Sequence, residues 1–256
     1  MKCFINKNAK YNLVFIPGGP GLSSISFTPL EELKEEFGLY FFDPMGTRTP
    51  LKTTPTYEAL LSELKESITD IENVILCGHS FGGIQAIDLA SQDIPNIKGV
   101  IAIGSPVSSH AFEIIGKNFD VELNEDQKRL ADLLANDPTD EIYKEWMIAY
   151  KDFYFNPTTS NMGVEAIRQD SLCVRSYKEA ISESTTKEDK LRSLKDKSIL
   201  KLYISGSEEK ILPPDSAKHE ADLGGFDLEI INNGGHFVHY EYPQETMNII
   251  RNYLNQ

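Results

Sequence analysis

A chain of 256 residues, 40% of them hydrophobic, is long enough to bury most of its apolar surface in one large domain or a domain with an insertion, without help from metals or disulfides. Its formal net charge of -14 repels phosphate backbones and anionic lipid, so nucleic acid is not an expected partner. Cys3, Cys77 and Cys173 are an odd number with no C-x-x-C or His-rich spacing, which argues against a disulfide framework and a zinc site and favours a reducing compartment.

The start, "MKCFINKNAKYN", has no apolar h-region, and no apolar run approaches the roughly 18 residues of a membrane span; the expected location is cytoplasmic. The first strand read from the residues is "YNLVFI" at 11–16. A helix is predicted over "PLEELKEEF" (29–37), a strand over "LYFF" (39–42), a helix over "YEALLSELKESITDI" (57–71) and a strand over "NVILC" (73–77). "GIQAIDLASQ" (83–92) reads as a helix and "GVIAI" (99–103) as a strand. The rhythm then stops: "EDQKRLADLLAND" (125–137) and "DEIYKEWMIAYKDFYF" (140–155) have helical spacing, and "NPTTSNMG" (156–163) reads as a loop. Strands return at "ILKLYIS" (199–205) and "DLEII" (227–231), before a final helix "PQETMNIIRNYL" (243–254). Near-continuous apolar strands alternating with helices predict an α/β fold, a mostly parallel open sheet with helices on both faces. Residues 1–105 and 196–256 form its core, and 106–195 are a helical insertion.

In "VILCGHSFGGIQAIDLA" an apolar strand runs into Ser80 among Gly78, Gly82 and Gly83 and continues directly as a helix. Gly78-His79-Ser80-Phe81-Gly82 matches G-x-S-x-G, in which a strained turn lifts a nucleophilic serine above the sheet and small neighbours avoid collision with the adjoining strand and helix. The competing reading makes Ser80 a helix cap. A serine nucleophile needs a base. Of five histidines, His79 should point away from Ser80, while His110 and His219 lie in polar, helix-like surroundings. His236, in the glycine-flanked loop "INNGGHF" after the last strand, falls where residues converge on the carboxyl edge of the sheet, with His239 its near competitor. The carboxylate that orients the base is expected at Glu208 or Glu209, directly after a strand end and between serine and histidine in chain order. Donors for a developing oxyanion are expected from the backbone N–H of Phe81, at the helix start, and of Gly19 in "FIPGGPGLSS", since Pro20 has no N–H.

Together "PGGPG", "GHSFGG", "GSEEKILP" and "GGHF" make the chain resemble the α/β-hydrolase superfamily with a helical cap, and the insertion falls where a cap belongs. The resemblance implies a G-x-x-D-x-x-x-P pattern for the acid, which places Glu209 at that position with glutamate for the usual aspartate. The "GGPG" loop is similar to that of prolyl aminopeptidases, though Pro17 stands where those have histidine and Phe81 where they tend to have tryptophan. "DPMGTR" keeps only Asp43 and Gly46 of the D-x-R-G-x-G found in many relatives. The short "KCFIN" before "YNLVFI" stands where the resemblance implies a hairpin, reduced here to about one strand.

The function expected is a serine hydrolase acting through an acyl-enzyme on a small ester, thioester or amide, with a prolyl aminopeptidase-like enzyme on short peptides as the second reading. A non-catalytic binder of small ligands on the same fold is the alternative from another class. Neither metal nor organic cofactor is required. Trp146 and Phe153 are candidates for an apolar pocket under the cap, and Glu145 or Glu165 for binding a substrate ammonium.

Overall fold

The computed structural model describes residues 1–119, 123–183 and 186–255. Seven strands form one sheet in the order β1-β3-β2-β4-β5-β6-β7. They are β1 (Lys2–Phe4), β2 (Asn12–Ile16), β3 (Gly38–Phe41), β4 (Val74–His79), β5 (Ile97–Ile103), β6 (Leu200–Gly206) and β7 (Asp227–Ile231). Only β1 runs antiparallel, against β3. The parallel strands read as continuous apolar runs because alternate side chains feed two cores. Val14, Ile16, Val74 and Leu76 enter one, and Leu13, Phe15, Ile75 and Cys77 the other.

The helices are α1 (Tyr57–Ser67), α2 (Phe81–Ser91), α3 (Ser109–Phe119), α4 (Glu125–Asn136), α5 (Asp140–Ala149), α6 (Lys151–Tyr154), α7 (Ser160–Gln169), α8 (Val174–Glu183), α9 (Glu188–Leu194), α10 (Pro214–Gly224), α11 (Val238–Glu241) and α12 (Pro243–Leu254). α1, α2, α9 and α10 supply apolar residues to the first core, and α12 and the segment after β2 to the second. That segment, Ser24–Glu35, is a run of 3₁₀ turns with Pro29 inside rather than the α-helix expected over 29–37. Proline at the first position of the expected helix is compatible with either form; the residues buried from this segment, Phe27, Leu30 and Leu33, recur every three positions, the period of 3₁₀ turns. The loop expected over 156–163 ends early, because Asn156 Oδ1 accepts the N–H of Thr158 and closes a turn, after which α7 begins at Ser160.

Between β5 and β6 every regular element among the described residues is a helix, and loops join them. α4 starts at a capping box in which Asn124 and Gln127 satisfy each other's backbone N–H, and Thr139 caps α5. Leu134, Tyr143, Met147, Tyr150, Tyr154 and Ile167 build a third apolar cluster that takes in Leu22, Ile211 and Phe237 from loops at the carboxyl edge of the sheet. That cluster seats the helices over the sheet edge. α9 packs into the first core through Leu191 and Leu194, and α3 and α8 each add an alanine to it, Ala111 and Ala180.

Candidate active site

The loops that leave β2, β4, β5, β6 and β7 at their carboxyl ends meet in one place, and the candidate residues sit on them. Ser80 lies between the end of β4 and the first residue of α2 with φ 50 and ψ -119. This is a conformation rarely tolerated by a residue with a Cβ, costing about 1–3 kcal/mol. Its side chain makes no capping hydrogen bond, so the cap reading finds no support. The glycines have packing reasons. A Cβ on Gly78 would overlap the backbone of Gly82, and one on Gly82 would overlap the carbonyl oxygens of Ile16 and Pro17. The turn is therefore wedged between β2 and α2, and the Ser80 N–H is fixed on the Ile103 carbonyl at 2.9 Å.

His236 and Glu209 meet across the mouth of the sheet. Nδ1 of His236 lies 2.9 Å from Oε2 of Glu209, and the Glu209 side chain is fully buried. A carboxylate only accepts, so the proton of the imidazole resides on Nδ1 and Nε2 keeps its lone pair. The other oxygen, Oε1, accepts the N–H groups of Ile211 at 2.9 Å and Leu212 at 3.2 Å. The His236 N–H donates to the Tyr154 carbonyl at 2.9 Å, which pins the loop to α6. Gly104, between β5 and α3, passes so close that a Cβ would lie 3.1 Å from Glu209 Oε2 and 3.3 Å from His236 Nδ1. Glu208, the neighbouring acid, is exposed.

The remaining histidines divide as their surroundings require. His79 is wholly buried, donates from Nε2 to the His236 carbonyl at 2.9 Å, and leaves Nδ1 without a partner. Burial, reinforced by His239 and His236, lowers its pKa well below the usual imidazole range. His239 stacks on Phe27 with ring centroids 4.4 Å apart, and its Nε2 faces the Ser26 hydroxyl at 3.3 Å. Burial, and then His236, brings its pKa down to about 3. Both rings stay neutral beside His236. His110 and His219 are exposed on α3 and α10, where their rings face each other with centroids 4.6 Å apart.

Ser80, His236, Gly19 and Phe81 all face one cavity of about 310 Å³. Gly19 has φ +108, a backbone open to glycine, and the Phe81 N–H is at the first turn of α2, where no intrahelical acceptor exists. Trp146 is in the cavity wall together with Tyr143, Met147, Tyr154, Tyr177 and Phe237. Phe153 and Glu145 do not reach it. Phe153 stacks on Phe119 at 5.3 Å outside the wall, and Glu145 is exposed on α5; Glu165 is exposed on α7 and pairs with Arg168. Helix phase explains Glu145, whereas Phe153 lies beyond the end of α5, in α6. Tyr143, Trp146, Met147 and Tyr150 fall at i, i+3, i+4 and i+7, the inward stripe, while Glu145 is on the opposite side. The same periodicity, present in the sequence, also picks out Tyr143 and Met147 beside Trp146. Among the described residues no cluster of three or more His, Cys, Asp or Glu could hold a metal ion, and no helix is long and apolar enough to cross a membrane.

The alpha/beta hydrolase family model matches residues 13–249, and the chain belongs to that family. The proline iminopeptidase of Saccharolobus solfataricus is 30% identical over 121 residues, 44% of this chain. The match spans 39% of that relative's length. Among solved structures, a thermophilic esterase from Thermogutta terrifontis superposes with a TM-score of 0.75 at 22% identity, covering 96% of this chain and 90% of the other. A carboxylesterase structure from the thaumarchaeon Nitrososphaera gargenis gives 0.76 at 17% identity over 99% and 93%. An enol-lactonase from Burkholderia xenovorans LB400 gives 0.74 at 16% over 100% and 95%. At these identities the likeness is one of fold.

Proposed function

We propose that the protein is a serine hydrolase that cleaves small, uncharged acyl compounds through an acyl-enzyme at Ser80. The observation that carries this is the buried Glu209–His236 pair, 2.9 Å apart, whose histidine lines one cavity with a serine held at positive φ. His236 Nε2 takes the Ser80 proton as Oγ attacks the carbonyl carbon, and the oxyanion is bound by the N–H groups of Phe81 and Gly19. Collapse breaks the bond to the leaving group, which departs with the proton from His236. Water then attacks the acyl-serine, His236 taking its proton, and the carboxylic acid leaves as Ser80 is regenerated. Glu209 holds the Nδ1–H tautomer and offsets the imidazolium charge.

The helices between β5 and β6 act as a cap whose aromatic stripe supplies the acyl pocket, with Trp146 its principal specificity residue. A volume of about 310 Å³ at the lower end of ligand pockets favours small substrates. The segment of likeness to a proline iminopeptidase supports a second reading, an aminopeptidase. A panel of p-nitrophenyl esters of graded acyl length beside prolyl and other aminoacyl arylamides separates the two. The esterase reading requires ester turnover that Ser80→Ala abolishes. Preferential cleavage of the prolyl arylamide would establish the peptidase, and inertness towards the panel together with inertness towards a fluorophosphonate would indicate a ligand-binding protein.

A further inference from the structure

The loop that carries Gly19 is held from two sides. On the sheet side Asp43, just past β3, accepts both the N–H and the hydroxyl of Ser24, at 2.9 and 2.8 Å. On the other side the helical segment makes the same fork one residue earlier. Asp170, between α7 and α8, accepts the N–H of Ser23 at 3.0 Å and its hydroxyl at 2.5 Å, both on Oδ1. Two more bonds join the same bodies. The Tyr143 hydroxyl donates to the Pro20 carbonyl at 3.0 Å, and the Cys173 N–H donates to the Gly21 carbonyl at 2.8 Å. Contact is so close that a Cβ on Gly21 would overlap the Cys173 carbonyl oxygen. Within the loop Gly19 and Gly21 both have positive φ, so its own chain has little preference for this shape and outside bonds must impose it.

Asp170 is an expensive way to do so. The residue is 6% exposed, and burial pushes its pKa up to about 6 against the opposing bonds from Ser23 and Ser171 and the charge of Arg48; the Tyr143 phenol also faces it.

On the hydrolase reading above, we propose that Asp170, assisted by Tyr143, is a positioning residue that sets the aim of the Gly19 N–H at the oxyanion, so that the seating of the helical segment governs the reactivity of Ser80. The chain of contacts is short. Asp170 fixes Ser23, Tyr143 fixes Pro20, and Gly19 precedes Pro20 directly. An ångström of misplacement at a reacting centre costs on the order of 10²-fold, similar to the loss of one oxyanion donor.

The test is inactivation of the whole protein by a fluorophosphonate, whose phosphoryl oxygen occupies the oxyanion position, with the maximal rate constant and the half-saturating concentration measured separately. Asp170→Ala is expected to lower the rate constant about 10- to 100-fold with half-saturation within threefold of wild type. Asp170→Asn should recover most of it, because a single oxygen takes both Ser23 donors. Tyr143→Phe, which deletes one oxygen atom, should lower the rate constant several-fold and keeps the test open if the alanine variant does not fold. A folded Asp170→Ala or Tyr143→Phe protein with an unchanged rate constant overturns the proposal, as does a rise in half-saturation alone, which would mean that these residues only shape the cavity. If wild type itself is not labelled at Ser80, the hydrolase reading falls and this inference with it.

Discussion

Replacing Glu209 by glutamine separates charge from shape at the centre of the site. Oε1 receives two backbone N–H groups, from Ile211 and Leu212. The amide oxygen must take that place, since an NH₂ group there would leave two buried donors facing a donor, at roughly 1–3 kcal/mol each. The NH₂ group is thereby turned towards His236 Nδ1, now 2.9 Å from Oε2. A donor opposite Nδ1 favours the tautomer with the proton on Nε2, which cannot accept the Ser80 proton. The imidazolium also loses its counter-charge. At an effective dielectric of about 20, opposite unit charges about 4 Å apart attract by about 4 kcal/mol, on the order of 10³ in rate. With the tautomer change, the expected loss in turnover is roughly 10³–10⁴-fold, at unchanged fold. Steady-state kinetics on the best ester of the panel, with circular dichroism and thermal melting as controls, measure this. A loss under about tenfold in a folded variant would refute the assignment of Glu209 and the tautomer argument with it.

Glu208→Gln, at an exposed carboxylate, should leave turnover within about twofold, and a loss like that of Glu209→Gln would transfer the role. Gly82→Ala should lower the melting temperature sharply, because the added methyl meets the carbonyl oxygens of Ile16 and Pro17 in a core that cannot give way; an unperturbed melt would contradict the wedged turn. His239 is held at a pKa of about 3 by burial first and His236 second, below the roughly 6.5 of an unfolded imidazole. Its contribution to stability is complete above that value and is lost as pH falls towards 3, at up to about 1.4 kcal/mol per unit. His239→Phe, retaining the stack on Phe27, should therefore shift acid unfolding to lower pH, and a shift the other way would show the sign to be wrong. Trp146→Ala should move the preferred ester to longer acyl chains while changing reactivity towards a small phosphonate much less; equal losses on both would assign Trp146 to packing.

The sheet and the residues at its carboxyl edge were readable because one local rule governs them: a strand ends, and the next residue is at the rim. Ser80, Glu209 and His236 each follow a strand within a few positions, so order along the chain translates into place in space. The choice of Glu209 over Glu208 came from a family pattern, and the physical difference between the two, burial against exposure, is tertiary. The helical segment was legible in its existence and less so in its contacts. Helix phase alone distinguishes Tyr143 from Glu145, but the bonds from Asp170 to Ser23 and from Tyr143 to Pro20 join residues 147 and 123 positions apart, and no local signal announces them. The 3₁₀ turns of Ser24–Glu35 illustrate a further limit: Pro29 and the residues after it suit an α-helix, and the buried stripe of Phe27, Leu30 and Leu33, with its period of three, begins before them.

The account rests most directly on Ser80 as the nucleophile. Intact-mass analysis after exposure to a fluorophosphonate, followed by peptide mapping, tests it in one measurement. One adduct per chain is predicted, confined to the peptide bearing Ser80, absent from Ser80→Ala and formed much more slowly in Glu209→Gln. An adduct on another residue, or labelling of Ser80→Ala at the wild-type rate, would contradict it.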